Sequence, residues 1–222
     1  MARRKRPGYF RVMDSAQQKV LLDALYQRIA KDRKEITSAV RDRMLIFLCL
    51  RTGLRNAEAT GLNVGDIYQF GSVVETLEVR ESIAKGSVPR RLPLISEICA
   101  SLSSFLQWKQ RRGESLEHNA PLFCSLRSHK RLGNRDFQRI MDDASKLLGM
   151  RFTPHDLRHT FATEVARKTG DVNAVKMACG HSSLQTTMIY MHTSPDQLRE
   201  RLEQTFSDPE EYRPKLQQRA KA

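Results

Sequence analysis

The stretches Thr153-Pro-His-Asp-Leu-Arg-His159 and Cys179-Gly-His-Ser-Ser-Leu-Gln-Thr-Thr-Met-Ile-Tyr190 decide how this chain is read. They bring His155, Arg158, His181 and Tyr190 into one short part of the sequence. A phosphodiester in transfer gathers negative charge on its non-bridging oxygens, and fixed hydrogen-bond donors and a planar, permanently charged guanidinium stabilise that charge. A tyrosine hydroxyl, with a reference pKa of about 10, becomes a nucleophile when a base and a positive field help remove its proton. The residue types of this segment fit attack on a phosphodiester.

Local patterns place these side chains. Pro154 starts a helix on which residues advance about 100° each, so His155, Arg158 and His159 share one face while Leu157, Phe161 and Val165 occupy another. His155 and His159 sit at metal-ligand spacing, but no neighbouring Glu or convincing third ligand accompanies them, and no metal is expected. Asp171 and Ser182 or Ser183 cap two short helices, with His181 at the tight turn between them. Taken singly, each residue also has a plain structural reading: a capping histidine, a turn histidine, a packing tyrosine.

Upstream, Asp14 or Ser15 caps a helix with Val20, Leu21, Ala24, Leu25 and Ile29 at helical spacing, and a second helix follows Thr37. Met44 to Leu50 is almost wholly apolar, which fits a central buried helix closed by Gly53 in a left-handed conformation. Arg55 then falls in or just after a tight turn, within Thr52-Gly-Leu-Arg-Asn-Ala-Glu58. From Ile67 to Leu94 the period changes to two, predicting a small antiparallel sheet. One strand ends near Ile83, another runs from Arg91 to Leu94, and Lys85-Gly-Ser87 turns between them. Helices return after Ser96, with Ile98, Leu102, Phe105 and Leu106 on one face, and after a cap at Asn134, ending at Gly149.

A formal charge of +13 over 222 residues exceeds what solubility needs and points to a polyanionic partner, nucleic acid before membrane. The longest apolar run is far too short to span a bilayer, so a cytoplasmic protein is expected. Cys49, Cys99, Cys124 and Cys179 are scattered without a C-x-x-C pair and read as reduced, mostly buried thiols. The first residues, with Arg3, Arg4, Lys5 and Arg6, read as a basic arm that grips phosphates and adds little sequence readout.

Taken in order, Thr52-Gly-Leu-Arg55 with Glu58, Lys85 ahead of Arg91-Leu-Pro-Leu94, His155-x-x-Arg158, Gly180-His181 and Tyr190 resemble the tyrosine recombinase (phage integrase) family. The resemblance covers roughly residues 12 to 206. It implies an α+β, mainly α, DNA breaking-rejoining fold with a small antiparallel sheet, shared with type IB topoisomerases. The expected organisation is a basic arm at 1–11, a tyrosine recombinase catalytic domain at 12–207 and a polar tail at 208–222. A separate clamp domain usually precedes the catalytic one; here only about ten residues precede the first helix, similar in layout to the short recombinases that invert fimbrial switches. Cys179 stands where a leucine is usual and is apolar enough to keep the packing role.

The resemblance further implies that Arg55 and Arg158 clamp the scissile phosphate and Tyr190 attacks it, leaving a 3′-phosphotyrosyl link and a free 5′-hydroxyl. Lys85 is the implied general acid, His155 assists proton transfer with the tyrosine, His181 bonds a non-bridging oxygen and Glu58 orients Arg55. No metal, nucleotide or other cofactor is implied. The implied partner is double-stranded DNA with specific recombination sites, bound by a homo-tetramer whose C-terminal helices, from about Pro195 to Phe206, dock on neighbouring subunits. The outcome expected is integration, excision or inversion of DNA. The alternatives are a catalytically silent DNA-binding regulator of the same fold and a type IB topoisomerase-like relaxing enzyme.

Overall fold

The computed structural model describes residues 11–31, 36–84, 89–181, 187–190 and 199. The readings of Arg3, Arg4, Lys5, Arg6, Lys85, Gly86, Ser87, Ser182, Ser183 and, apart from residue 199, the 195–206 helix lie outside them, as do the side chains of Ile29 and Thr37.

Helix α1 (Ser15–Lys31) packs on α2 (Ile36–Thr52), and α3 (Asn56–Gly61) follows after the turn at Gly53. Two short antiparallel ribbons come next, β1 (Tyr68–Gln69) with β2 (Ser72–Val73) and β3 (Thr76–Val79) with β4 (Arg90–Pro93). Helices α4 (Ser96–Arg111), α5 (Asn134–Leu147), α6 (Pro154–Thr169) and α7 (Val172–Cys179) complete the described domain. No helix among the described residues is long and apolar enough to cross a membrane.

The core forms around α2. Every residue from Met44 to Leu50 is less than 5% exposed, so this helix is surrounded, with α1, α4 and α6 packed on different sides. The α4 stripe of Ile98, Leu102, Phe105 and Leu106 is buried as its spacing predicts. Val20 is an exception on α1: it faces outward, and Leu21 and Leu25 carry the packing.

The β3–β4 register pairs Leu77 with Leu92 and Val79 with Arg90, which puts Leu77, Val79 and Leu92 on the buried face. Strand β3 stops at Val79 rather than near Ile83. The Arg80 carbonyl accepts from the amides of Ile83 and Ala84, turning the chain, while the Arg80 guanidinium bonds Asp66 and the Gly61 carbonyl. Helix α5 likewise starts one residue from expectation. Gly133 is its N-cap and Asn134 its first helical residue, and the Gly133 amide donates to Asp136 Oδ2 at 2.9 Å.

Candidate active site

Three chain turns build the site. The first is the α2–α3 junction, where Gly53 adopts φ +63 and a Cβ at that position would lie 2.3 Å from Cδ1 of Phe161. Only glycine combines that backbone angle with so close an aromatic ring. Arg55 then caps α3: its amide donates to Glu58 Oε2 at 2.8 Å and its Nη1 to Glu58 Oε1 at 3.1 Å. The second turn is the start of α6, where the Thr153 amide donates to Asp156 and the Asp156 amide returns a bond to Thr153 Oγ1. That reciprocal cap, with Pro154 in the first turn, fixes the helix on which His155, Arg158 and His159 ride. The third is the end of α7, where Gly180 at φ +61 leaves room for Arg90, whose Cδ would lie 2.8 Å from a Cβ there.

Arg158 links the first turn to the third. Only 2% exposed, it donates through Nη1 to the Gly53 carbonyl at 2.6 Å and through Nη2 to the Cys179 carbonyl. Cys179 itself is fully buried among Ala162, Ala166 and Val175, so a small apolar side chain seats the carbonyl that orients Arg158. Burial lowers the Arg158 pKa from the usual arginine range.

Tyr190 packs against the same small cluster. Its hydroxyl is hydrogen-bonded to Nδ1 of His159, and its ring lies 6.0 Å from and nearly parallel to that of His181, at 14°. His159 Nε2 is 3.0 Å from His155 Nε2 one helical turn back. His181 Nδ1 is 3.0 Å from Thr187 Oγ1, which ties the turn after α7 to the segment carrying the tyrosine. Beside His181 a cleft of about 610 Å³ lies between β4 and α7, with Arg90, Arg91 and Lys176 in its wall.

Electrostatics match this layout. Burial pushes the Tyr190 hydroxyl up to about 12, against the pull of the Arg158 and Arg55 charges, which favour the phenolate. Burial and surrounding positive charge push His159 and His181 down to about 4, and His155 moves down for the same reasons. All three imidazoles are therefore neutral at physiological pH, each with one donor and one acceptor nitrogen.

Of the residues expected from sequence, the structure brings Arg55, Glu58, His155, Arg158, His181 and Tyr190 into one site. Two more belong to it. Arg90 donates from Nη1 and Nη2 to the two Glu58 oxygens at 3.0 and 2.9 Å and from Nε to the Ala178 carbonyl at 3.0 Å, joining β4, α3 and α7. Its signal was the alternation that puts position 90 on the inward face with Leu92. His159 is the other. Its helical face is legible in the sequence; the resemblance implies proton transfer with the tyrosine for His155, and the hydroxyl itself is bonded to His159.

A mainly helical domain in which a tyrosine hydroxyl, two arginines and three histidines converge has the layout of a tyrosine recombinase catalytic domain. The chain belongs to the phage integrase family, whose model matches residues 12–197. Over 162 residues it is 35% identical to tyrosine recombinase XerC of Corynebacterium glutamicum, covering 72% of this chain and 49% of that protein. It is 33% identical over 166 residues to tyrosine recombinase XerD of Bifidobacterium longum, covering 72% and 52%. The chain thus spans about half the length of these curated relatives. The crystal structure of XerA recombinase superposes with a TM-score of 0.66 at 28% identity, covering 92% of this chain and 67% of that one. XerH site-specific recombinase in a pre-cleavage complex with difH substrate shares the fold, at a TM-score of 0.66 and 24% identity over 90% and 56%.

Proposed function

We propose that this chain is the catalytic part of a site-specific DNA recombinase that cuts and rejoins double-stranded DNA through a 3′-phosphotyrosyl intermediate on Tyr190. The observation that carries the reading is the position of the Tyr190 hydroxyl, bonded to a neutral histidine within the field of Arg55 and Arg158. Tyr190 attacks the phosphorus, the bond to the 5′-oxygen breaks, and the phosphodiester energy is kept in the new tyrosyl ester. A 5′-hydroxyl from a second strand reverses the step, so no nucleotide is consumed. Arg55 and Arg158 clamp the non-bridging oxygens, His181 bonds one of them, and Glu58 with Arg90 holds Arg55 in place. Lys85 protonates the departing 5′-oxygen. The domain extends over 12–207, the arm residues Arg3 to Arg6 add phosphate contacts, and four copies assemble on paired sites through the 195–206 helix. The XerH and Tn1549 integrase structures, solved with DNA, support the choice of partner. Likeness to the tyrosine recombinases XerC and XerD favours strand exchange over relaxation or silent binding.

The test is covalent capture from a library of nicked duplexes with randomised sequence around the nick. The small fragment released after cleavage diffuses away and traps the adduct, and sequencing the trapped DNA identifies the site. Wild-type protein forms a denaturant-resistant adduct and Tyr190→Phe forms none. An adduct that persists in Tyr190→Phe overturns the assignment of the nucleophile.

A further inference from the structure

We propose that His159 is the immediate proton acceptor for Tyr190 and that His155 is the second station of a two-histidine relay leading to solvent. The proposal rests on the recombinase reading and deepens it at one site.

The geometry orders three groups in a line. The Tyr190 hydroxyl meets Nδ1 of His159, and the opposite nitrogen of that ring, Nε2, lies 3.0 Å from Nε2 of His155. The two rings are edge-to-face, with centroids 4.2 Å apart and planes at 67°, which aims one ring nitrogen at the other. A neutral imidazole has one N–H and one lone pair, so these contacts admit two settings. In the first, Tyr190 donates to His159 Nδ1, His159 donates from Nε2, and His155 accepts at Nε2 while carrying its own proton on Nδ1. In the second the two protons within these contacts have each moved one place: His159 carries Nδ1–H, pointing at the tyrosine oxygen, and accepts at Nε2 from His155, which keeps its Nδ1 proton and is doubly protonated.

The two settings are the states before and after attack. As the Tyr190 oxygen forms its bond to phosphorus, its O–H bond breaks and the proton passes to His159 Nδ1. The proton on His159 Nε2 passes to His155 Nε2, and His155 becomes the imidazolium. In the reverse direction the tyrosine–phosphorus bond breaks, the departing phenolate takes the proton on Nδ1, and His155 returns one to Nε2. Protons balance in both directions and no co-reactant is needed.

Burial explains why two histidines serve where one could. His159 is only 3% exposed, a poor place to hold a new positive charge beside buried Arg158, whereas His155, in the first turn of α6, is the more exposed of the two. Moving the proton outward leaves the charge where water solvates it.

The relay is tested on the duplex recovered by covalent capture, made with an ordinary and with a 5′-bridging phosphorothiolate linkage. A thiolate leaves without a proton, so the sulfur substrate bypasses the general acid but not the base. His159→Phe is expected to slow single-turnover adduct formation by about 100-fold or more on both substrates, the usual worth of a general base. Lys85→Ala is slowed on the ordinary substrate alone. His159→Ala regains rate with added imidazole, which a merely structural role does not predict. His155→Phe keeps the direct acceptor and is expected to lose less than His159→Phe, on both substrates. Adduct formation at the wild-type rate in His159→Phe overturns the proposal, as does a defect that the phosphorothiolate rescues. If the wild-type protein forms no adduct at Tyr190, the recombinase reading falls first and the relay with it.

Discussion

Arg90 and Glu58 meet fork to fork, with side-chain exposures of 6% and 1%. The same carboxylate receives the amide and Nη1 of Arg55, so one buried anion fixes the start of α3, the inward face of β4 and a candidate phosphate-binding arginine. Removing one member of such a pair leaves a charge out of water without compensation, a loss of about 3–5 kcal/mol. Glu58→Ala is expected to lower unfolding stability by about that amount. Arg90→Lys keeps the charge but cannot fill both oxygens, so it loses less stability while slowing adduct formation through a misplaced Arg55. Urea denaturation of both variants, with single-turnover cleavage for the second, checks this; a Glu58→Ala protein as stable as wild type refutes it.

Gly53 answers for the other arginine, because its carbonyl holds Arg158 Nη1. Gly53→Ala places a methyl group in a left-handed conformation, about 1–2 kcal/mol of strain, and drives it against Phe161. Crowding adds about 1–3 kcal/mol. Because part of the loss is a clash with one ring, Phe161→Ala in the same chain should recover that part. Denaturation of the wild type, both single variants and the double variant therefore shows coupling of about 0.5–3 kcal/mol. Strict additivity would mean that the ring is not the obstacle.

Much of this fold was legible because its signals are local. An unbroken apolar run predicts a surrounded helix at Met44 to Leu50, and Thr153 with Pro154 announces the start of α6 to the residue. What escaped depends on contacts distant in sequence. Strand β3 ends early because the Arg80 side chain reaches back to Asp66 and Gly61, which no alternation encodes. His159 was visible on the correct helical face, but its importance lies in a hydroxyl 31 positions away. Arg90 sits inward with Leu92, where a charge is costly alone, and only the fold supplies the Glu58 carboxylate that accepts it.

Lys109 provides a contrasting buried charge far from any proposed chemistry. Its side chain is 1% exposed, with Nζ 2.6 Å from Glu114 Oε2 and 3.3 Å from the Pro121 carbonyl. It pins the loop after α4, and Arg112 bonds the other Glu114 oxygen at 3.2 Å. Lys109→Ala leaves the buried Glu114 carboxylate with the part-exposed Arg112 as its remaining cation and is expected to destabilise by up to about 3–5 kcal/mol, whereas Lys109→Met with Glu114→Gln removes both charges of the buried pair and should recover most of that loss. Neither change should alter the rate of adduct formation under conditions where the proteins are folded. A double variant no more stable than Lys109→Ala would show that the ion pair is not the source of the effect.

The buried imidazoles predict two distinct responses to acid. His159 and His181 titrate at about 4 in the folded protein, because burial and the positive charges around them disfavour the imidazolium. His159 faces His155, Asp156, Arg158 and His181, and of these only Asp156 favours its charged form. In the unfolded chain a histidine titrates at about 6.5, so the unfolded state takes up protons first as pH falls. The contribution of these side chains to stability is therefore complete above about 6.5 and lost progressively down to about 4. Urea midpoints at pH 7, 5.5 and 4.5 should fall for the wild type and fall less steeply for a His159→Gln, His181→Gln variant. Cleavage should respond differently, because a base that titrates at about 4 is already deprotonated at pH 5. Measured with DNA below saturation, where the rate reports the free protein, adduct formation should show no inflection near 6.5 while the protein remains folded. A limb centred there would show that attack needs a histidine of ordinary pKa to be deprotonated, which contradicts a relay through His159 and His155, both of whose pKa values are lowered.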